Sequence, residues 1–94
     1  MYKILVTFTM KPGTLEATLA AGADCLRESR KEPGCIAYDF YRATDGSEAF
    51  VAVETFVDEA AHDAHEQTPH FLAFFPTLKA NWATVKQETV NIRS

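Results

Sequence analysis

All three histidines of this chain, His62, His65 and His70, fall in one ten-residue stretch, HDAHEQTPHF (62–71). Imidazole is the side chain that gains and loses a proton near neutral pH with little help from its surroundings. The stretch therefore poses three chemistries: metal ligation, base catalysis, or hydrogen bonding at a helix joint. Metal ligation fails on ligand count. His62 and His65, three residues apart, share a helix side, but a site needs further ligands, and no Cys or carboxylate stands at a zinc-type spacing. No metal is expected. His62 reads as a solvated helix residue. His65 and His70 flank Thr68-Pro69, where one helix ends and another begins, so the two rings come close together. They either cap that joint and bond at a dimer edge, or work beside a pocket.

Glu54 is the second group with chemical potential. It shares a strand side with Phe50 and Phe56 in AFVAVETF, and a carboxylate buried there without a partner is costly. Its face is wet, or it pairs with Arg42 or with His65 or His70, or its pKa is raised for work. Around these groups the chain is rich in rings. Tyr38, Phe40, Phe56, Phe71, Phe74, Phe75 and Trp82 could form a flat apolar slot, although aromatics at helical spacing also build ordinary cores.

The elements that must position these residues are marked by regular punctuation. KPG (11–13), EPG (32–34) and TDGS (44–47) place Pro and Gly where turns need them. Residues 2–10 alternate, with Ile4, Val6, Phe8 and Met10 on one side, and predict a strand. Leu15, Leu19, Ala23 and Leu26 form an apolar stripe on one helix from Thr14 to about Lys31. CIAYDFYRA and SEAFVAVETFV, joined by Asp45-Gly46, predict a hairpin. Asp58 is the expected N-cap of a short helix, and Thr68 with Pro69 at the first helical position restarts it. Phe71, Phe74, Phe75, Leu78 and Trp82 then share one helical side, and Pro76 is expected to kink or split the segment. Residues 83–92 predict a last strand.

The order β-α-β-β-α-β implies an α+β, ferredoxin-like antiparallel sheet with helices on one face, in one domain spanning residues 1–94. The third strand is apolar on both sides, with Val51, Val53 and Val57 opposite Phe50, Ala52 and Phe56. Helices can cover only one of those sides, so the other predicts a homodimer packed sheet to sheet.

Composition narrows the functions. The chain has 94 residues, a net charge of −4, 47% apolar residues and no basic block, which argues against nucleic-acid binding. No apolar run approaches the roughly 20 residues of a membrane span, and the first residues read as a strand and lack a signal-peptide layout. A cytoplasmic protein is expected, with Cys25 and Cys35 as free thiols.

Beyond pattern, three segments resemble the antibiotic biosynthesis monooxygenase domain family, which includes the quinol monooxygenases. They are Glu32, Gly34, Cys35 and Tyr38 in E-x-G-C-x-x-Y, then Glu54 and Phe56, then His65, Thr68, His70 and Phe71 in H-x-x-T-x-H-F. The resemblance implies a ferredoxin-like chain that dimerises into a joined barrel. It also implies a cofactor-independent monooxygenase acting on a small aromatic or quinol: a base removes the substrate proton, and the electron-rich anion then reacts with O2. Its implied catalytic residues are His65 or His70 as base with Glu54 orienting it, and Tyr38, Phe40, Phe56, Phe71, Phe75 and Trp82 would bind the ring. No cofactor is implied. Polyphenol-oxidising and haem-degrading members usually carry Trp where this chain has Phe56, and Asn where it has Ala52 or on a first strand that here has none, so haem degradation is disfavoured. The alternatives are an isomerase of a small dicarbonyl compound, using the same groups to move a proton, and a non-catalytic small-molecule-binding dimer.

Overall fold

The computed structural model describes residues 1–91. The chain runs β1 (Tyr2–Met10), α1 (Leu15–Ala21), α2 (Ala23–Ser29), β2 (Cys35–Arg42), β3 (Ala49–Phe56), α3 (Glu59–His65), α4 (Pro69–Asn81) and β4 (Trp82–Asn91). The four strands form one antiparallel sheet in the order β2-β3-β1-β4. This is the α+β, ferredoxin-like arrangement expected from the element order. Ile92, the last residue of the expected final strand, lies outside the described residues.

Strand alternation sets the two faces. Ile4, Phe8, Met10, Tyr38, Phe50, Ala52, Glu54 and Phe56 are buried under the helices. Pairing aligns them in rows: Tyr38, Glu54 and Ile4 in one, Phe40, Ala52, Val6 and Gln87 in the next, and Phe50, Phe8 and Val85 in a third. Phe8 and Phe50 stack at 4.8 Å between ring centroids. The opposite face carries Leu5, Val51, Val53, Tyr41 and Val90, of which Tyr41 is 56% and Val90 46% exposed. That face is apolar at its centre, as the two-sided pattern of β3 predicts.

Several local expectations are corrected. The helix expected from Thr14 to Lys31 is two helices meeting at Gly22, although the backbone hydrogen bonds run on through the joint, from Gly22 N to Thr18 O and from Leu26 N to Gly22 O. A Cβ on Gly22 would stand 2.8 Å from Phe74 and 3.1 Å from Phe40, so glycine lets the helix pair close onto α4 and β2. The buried stripe is Leu15, Thr18, Gly22, Cys25 and Ser29, and Ala23 is exposed. Thr18 and Ser29 were hidden from a hydrophobic count because they are polar. Both are satisfied: Thr18 donates to the Thr14 carbonyl and accepts from Asn81, and Ser29 Oγ lies 3.7 Å from Cys25 Sγ.

Pro76 neither kinks nor splits α4, which is continuous from Pro69 to Asn81. Pro76 and Leu72, the residue whose carbonyl loses its helical donor, are both exposed, so water can serve that carbonyl. Trp82 is not a helical residue but opens β4, and its ring packs against Phe8 and Phe75. Both caps are as expected: Asp58 accepts from Ala61 N at 2.8 Å and Thr68 from Phe71 N at 3.3 Å. Cys25 and Cys35 are both free.

Candidate active site

A cavity of about 390 Å³ lies between the inner face of the sheet and α4. Its floor is the central rows of the sheet. Ala52 sits there between Phe40 and Val6, and its small side chain leaves the hollow open. Helix α4 supplies Phe71, Phe74, Phe75 and Leu78, and β4 supplies Trp82, Val85 and Gln87. Phe71 and Phe75 stack at 5.4 Å, and Phe75 meets Trp82 edge-on at 5.9 Å. The result is a slot for a flat, apolar molecule. Among the described residues no Lys or Arg lines it; the ionisable side chains on its wall are Tyr38, Glu54, His62 and Glu66.

Of the residues singled out from sequence, Tyr38, Phe40, Phe71, Phe75, Trp82 and Glu54 all reach the cavity. Phe56 does not line it. That ring is fully buried between the imidazoles of His62 and His65, each 5.4 Å away. His65 and His70 are not on the wall either; they stand behind it. His62 is corrected outright: far from being solvated, it is only 9% exposed, packs against Phe56 and Tyr2, and reaches the wall. The short helix α3 lies flat on β3, so the side that carries His65 also buries His62 one turn earlier.

Glu54 is 7% exposed, and its Oε1 has no hydrogen-bond partner. In register it is flanked by Ile4 and Tyr38, neither of which offers it a proton, since the Tyr38 hydroxyl is turned to Cys25 Sγ at 3.8 Å. Arg42, one expected partner, pairs with Glu16 instead. Burial, aided by the negative charges of Glu66 and Glu32, pushes the Glu54 carboxyl up to about 8, so it is largely protonated at neutral pH. Burial likewise raises Tyr38 far above the ordinary phenol range, which keeps it neutral.

The nearest polar atom to Glu54 from the histidine pair is His65 Nε2, 3.9 Å from Oε1, too far for a direct hydrogen bond. His65 is 1% exposed and enclosed by the rings of Tyr38, Phe56 and Phe71. Burial lowers its pKa, partly offset by Glu32, so the ring is neutral at pH 7. On its far side Nδ1 meets Glu32 Oε2 at 2.8 Å, with Ser29 Oγ at 3.5 Å, and the same Glu32 oxygen meets His70 Nε2 at 2.6 Å.

Glu32 is the functional candidate that sequence reasoning passed over as a turn residue. Its one signal was its place at the head of the E-x-G-C segment. The glycine in that segment has a structural use: a Cβ on Gly34 would stand 2.4 Å from the Cβ of Ala61. The loop therefore lies directly on α3, which brings Glu32 to His65. Glu32, His65 and His70 offer three atoms within 4.8 Å of one another, a spacing that a metal ion could also use. Here Glu32 Oε2 already joins both rings, and the cluster closes on itself as hydrogen bonds.

Comparison with known proteins bears on the family and the fold. Residues 1–77 match the model of the antibiotic biosynthesis monooxygenase family. The chain is 38% identical over 80 residues to sll1783 of Synechocystis, a match covering 82% of this chain but only 54% of that protein, so it spans about half the length of that relative. It is 34% identical over 65 residues to YcnE of Bacillus subtilis, named as a candidate monooxygenase, covering 69% of this chain and 68% of that one. A solved structure from Nitrosomonas europaea, described as a candidate antibiotic biosynthesis monooxygenase, superposes with a TM-score of 0.92 at 26% identity, over 97% of both chains. With the family model covering most of its length, the chain belongs to the antibiotic biosynthesis monooxygenase family.

Proposed function

We propose that the protein is a cofactor-independent monooxygenase of a small aromatic or quinol-type substrate, working in the cytoplasm as a homodimer. The observation that carries the reading is Glu54: a buried, protonatable carboxyl with no hydrogen-bond partner, set in the wall of an aromatic slot. A quinol ring lies in the slot against Phe71, Phe75 and Trp82 and turns a hydroxyl toward Glu54. The reading exchanges the roles expected from sequence, placing Glu54 at the substrate and His65 behind it.

Because Glu54 is protonated at neutral pH, it works as a two-ended bridge. One oxygen accepts the substrate proton while Oε1 passes its own proton to His65 Nε2, once the 3.9 Å gap closes by about 1 Å or is bridged by water. The products are a quinolate in the slot and an imidazolium beside Glu32. The quinolate then reduces O2. One oxygen atom enters the ring, the other leaves as water on taking back the proton held by the His65 imidazolium, and the quinol supplies all the electrons, giving a hydroxyquinone with no external reductant. Apolar walls keep bulk water from the anion.

The test is oxygen uptake with a menadiol-type hydroquinone, with the product identified by mass. Uptake above autoxidation, lost in His65→Ala, supports the reading; uptake equal to autoxidation removes it. Proton exchange of a dicarbonyl substrate without oxygen would favour the isomerase instead. The dimer rests on the apolar face around Leu5, Val51, Val53, Tyr41 and Val90. Sedimentation should give twice the chain mass, falling to one in Val53→Asp.

A further inference from the structure

We propose that Glu32, held in place by His70, is a positioning residue that fixes His65 in its Nδ1–H tautomer and so presents the free Nε2 electron pair to Glu54. The inference rests on the reading of Glu54 and His65 as the proton-handling pair, and the geometry carries it as follows. A neutral imidazole has one N–H, and either nitrogen can hold it. Glu32, as a carboxylate, only accepts. Its Oε2 lies 2.8 Å from His65 Nδ1 and 2.6 Å from His70 Nε2, so both rings donate to that one oxygen. Ser29 Oγ, 3.5 Å from Nδ1, can donate or accept and decides nothing. With the proton held at Nδ1, Nε2 is left as an acceptor on the side of Glu54 Oε1.

Three separate elements meet to make this arrangement. Glu32 comes from the loop after α2, His65 from the last turn of α3 and His70 from the first turn of α4. Thr68 ties the two helices by accepting from Phe71 N and donating to the His65 carbonyl at 2.7 Å. Glu32 and His70 have side chains only 13% and 16% exposed. A carboxylate in such a place needs more than one donor, and His70 is the second. When His65 gains a proton at Nε2, the imidazolium forms against the negative charge of Glu32. The titratable groups around the ring are Glu32, Glu54, His62, His70 and Tyr38. Of the two carboxyl groups, only Glu32 is within hydrogen-bond distance.

The experiment is nitrogen-15 NMR of the histidine rings in the wild type, Glu32→Ala and Glu32→Gln, read without substrate so that it stands or falls apart from the oxygenase reading. Expected is an Nδ1–H His65 in the wild type and a loss of that preference, with Nε2–H appearing, in Glu32→Ala, where Nδ1 no longer has its carboxylate acceptor. Glu32→Gln, which keeps the fold and an accepting oxygen, should retain the Nδ1–H form but lower the pKa of His65, because the charge is gone. In oxygen uptake, Glu32→Ala should lose on the order of 10–100-fold in kcat with KM little changed, since Glu32 lies off the cavity wall. An Nε2–H tautomer in the wild type, or an unaltered tautomer in folded Glu32→Ala, or an unshifted His65 pKa in Glu32→Gln, overturns the proposal.

Discussion

Two glutamates, Glu48 just before strand β3 and Glu54 within it, are in very different states. Glu48 accepts from Gly13 N at 2.7 Å and Leu15 N at 3.3 Å, the open backbone donors around the start of α1. Those bonds, Gly13 first, hold its carboxyl below the usual range. Six residues on, Glu54 has no donor and is pushed up to about 8 by burial. What differs is the neighbours. A helix beginning leaves N–H groups unpaired, whereas Ile4, Tyr38 and the aromatic slot offer a carboxylate nothing. One glutamate is spent on joining β3 to α1, and the other is kept as an acid at the cost of stability.

The largest expected effect tests that cost. A carboxyl whose pKa is raised in the folded state contributes stability that is fully present below its unfolded pKa and is lost as pH rises through its folded pKa. For Glu54 the window runs from 4.5 to about 8, and at roughly 1.4 kcal/mol per pH unit the loss has a ceiling of ~5 kcal/mol. Glu54→Gln removes the titration. In urea unfolding the variant should match the wild type at pH 4 and exceed it at pH 9 by an amount on the order of a few kcal/mol. Its kcat for quinol oxidation should fall by roughly 10²–10⁴. A variant that is both active and no more stable at pH 9 would mean that Glu54 is no different in kind from Glu48.

Next in size is the hollow between them. Ala52 stands midway along β3, and its side chain is the smallest in the cavity floor. Ala52→Leu should fill the slot and reduce kcat/KM on the order of 100-fold, while leaving the melting temperature equal to or above that of the wild type. Loss of stability along with activity would mean that the floor cannot take the added volume.

How legible these features were follows from the distance over which each is decided. Asp58 and Thr68 bond to N–H groups three residues on, so their capping could be read directly from the chain. Strand alternation placed Glu54 and Phe50 on one face for the same reason. Glu32 reaches His65 across 33 residues and His70 across 38, through a contact that Gly34 permits, and no local pattern encodes that meeting. His62 was misread because it stands outside the H-x-x-T-x-H-F segment that singles out His65 and His70. Its burial comes from where α3 lies on Phe56 and Tyr2, not from anything within the helix. The joint at Gly22 depends likewise on Phe74 and Phe40, both far along the chain.

The smallest effect belongs to Glu48. A carboxyl whose pKa is lowered on folding contributes stability present above its unfolded pKa and lost as pH falls through its folded one, the opposite sign to Glu54. Glu48→Gln keeps an oxygen that can accept from Gly13 N or Leu15 N but removes the charge favoured near a helix start. The variant should therefore melt slightly below the wild type at pH 7, and the two curves should converge in acid, once Glu48 of the wild type is itself protonated. Oxygen uptake should not change, because the carboxylate lies outside the cavity wall. Measured side by side, Glu48→Gln and Glu54→Gln should move the pH dependence of stability in opposite directions. If both moved it the same way, the contrast would lie in net charge alone, and the donors offered by α1 would have no part in it.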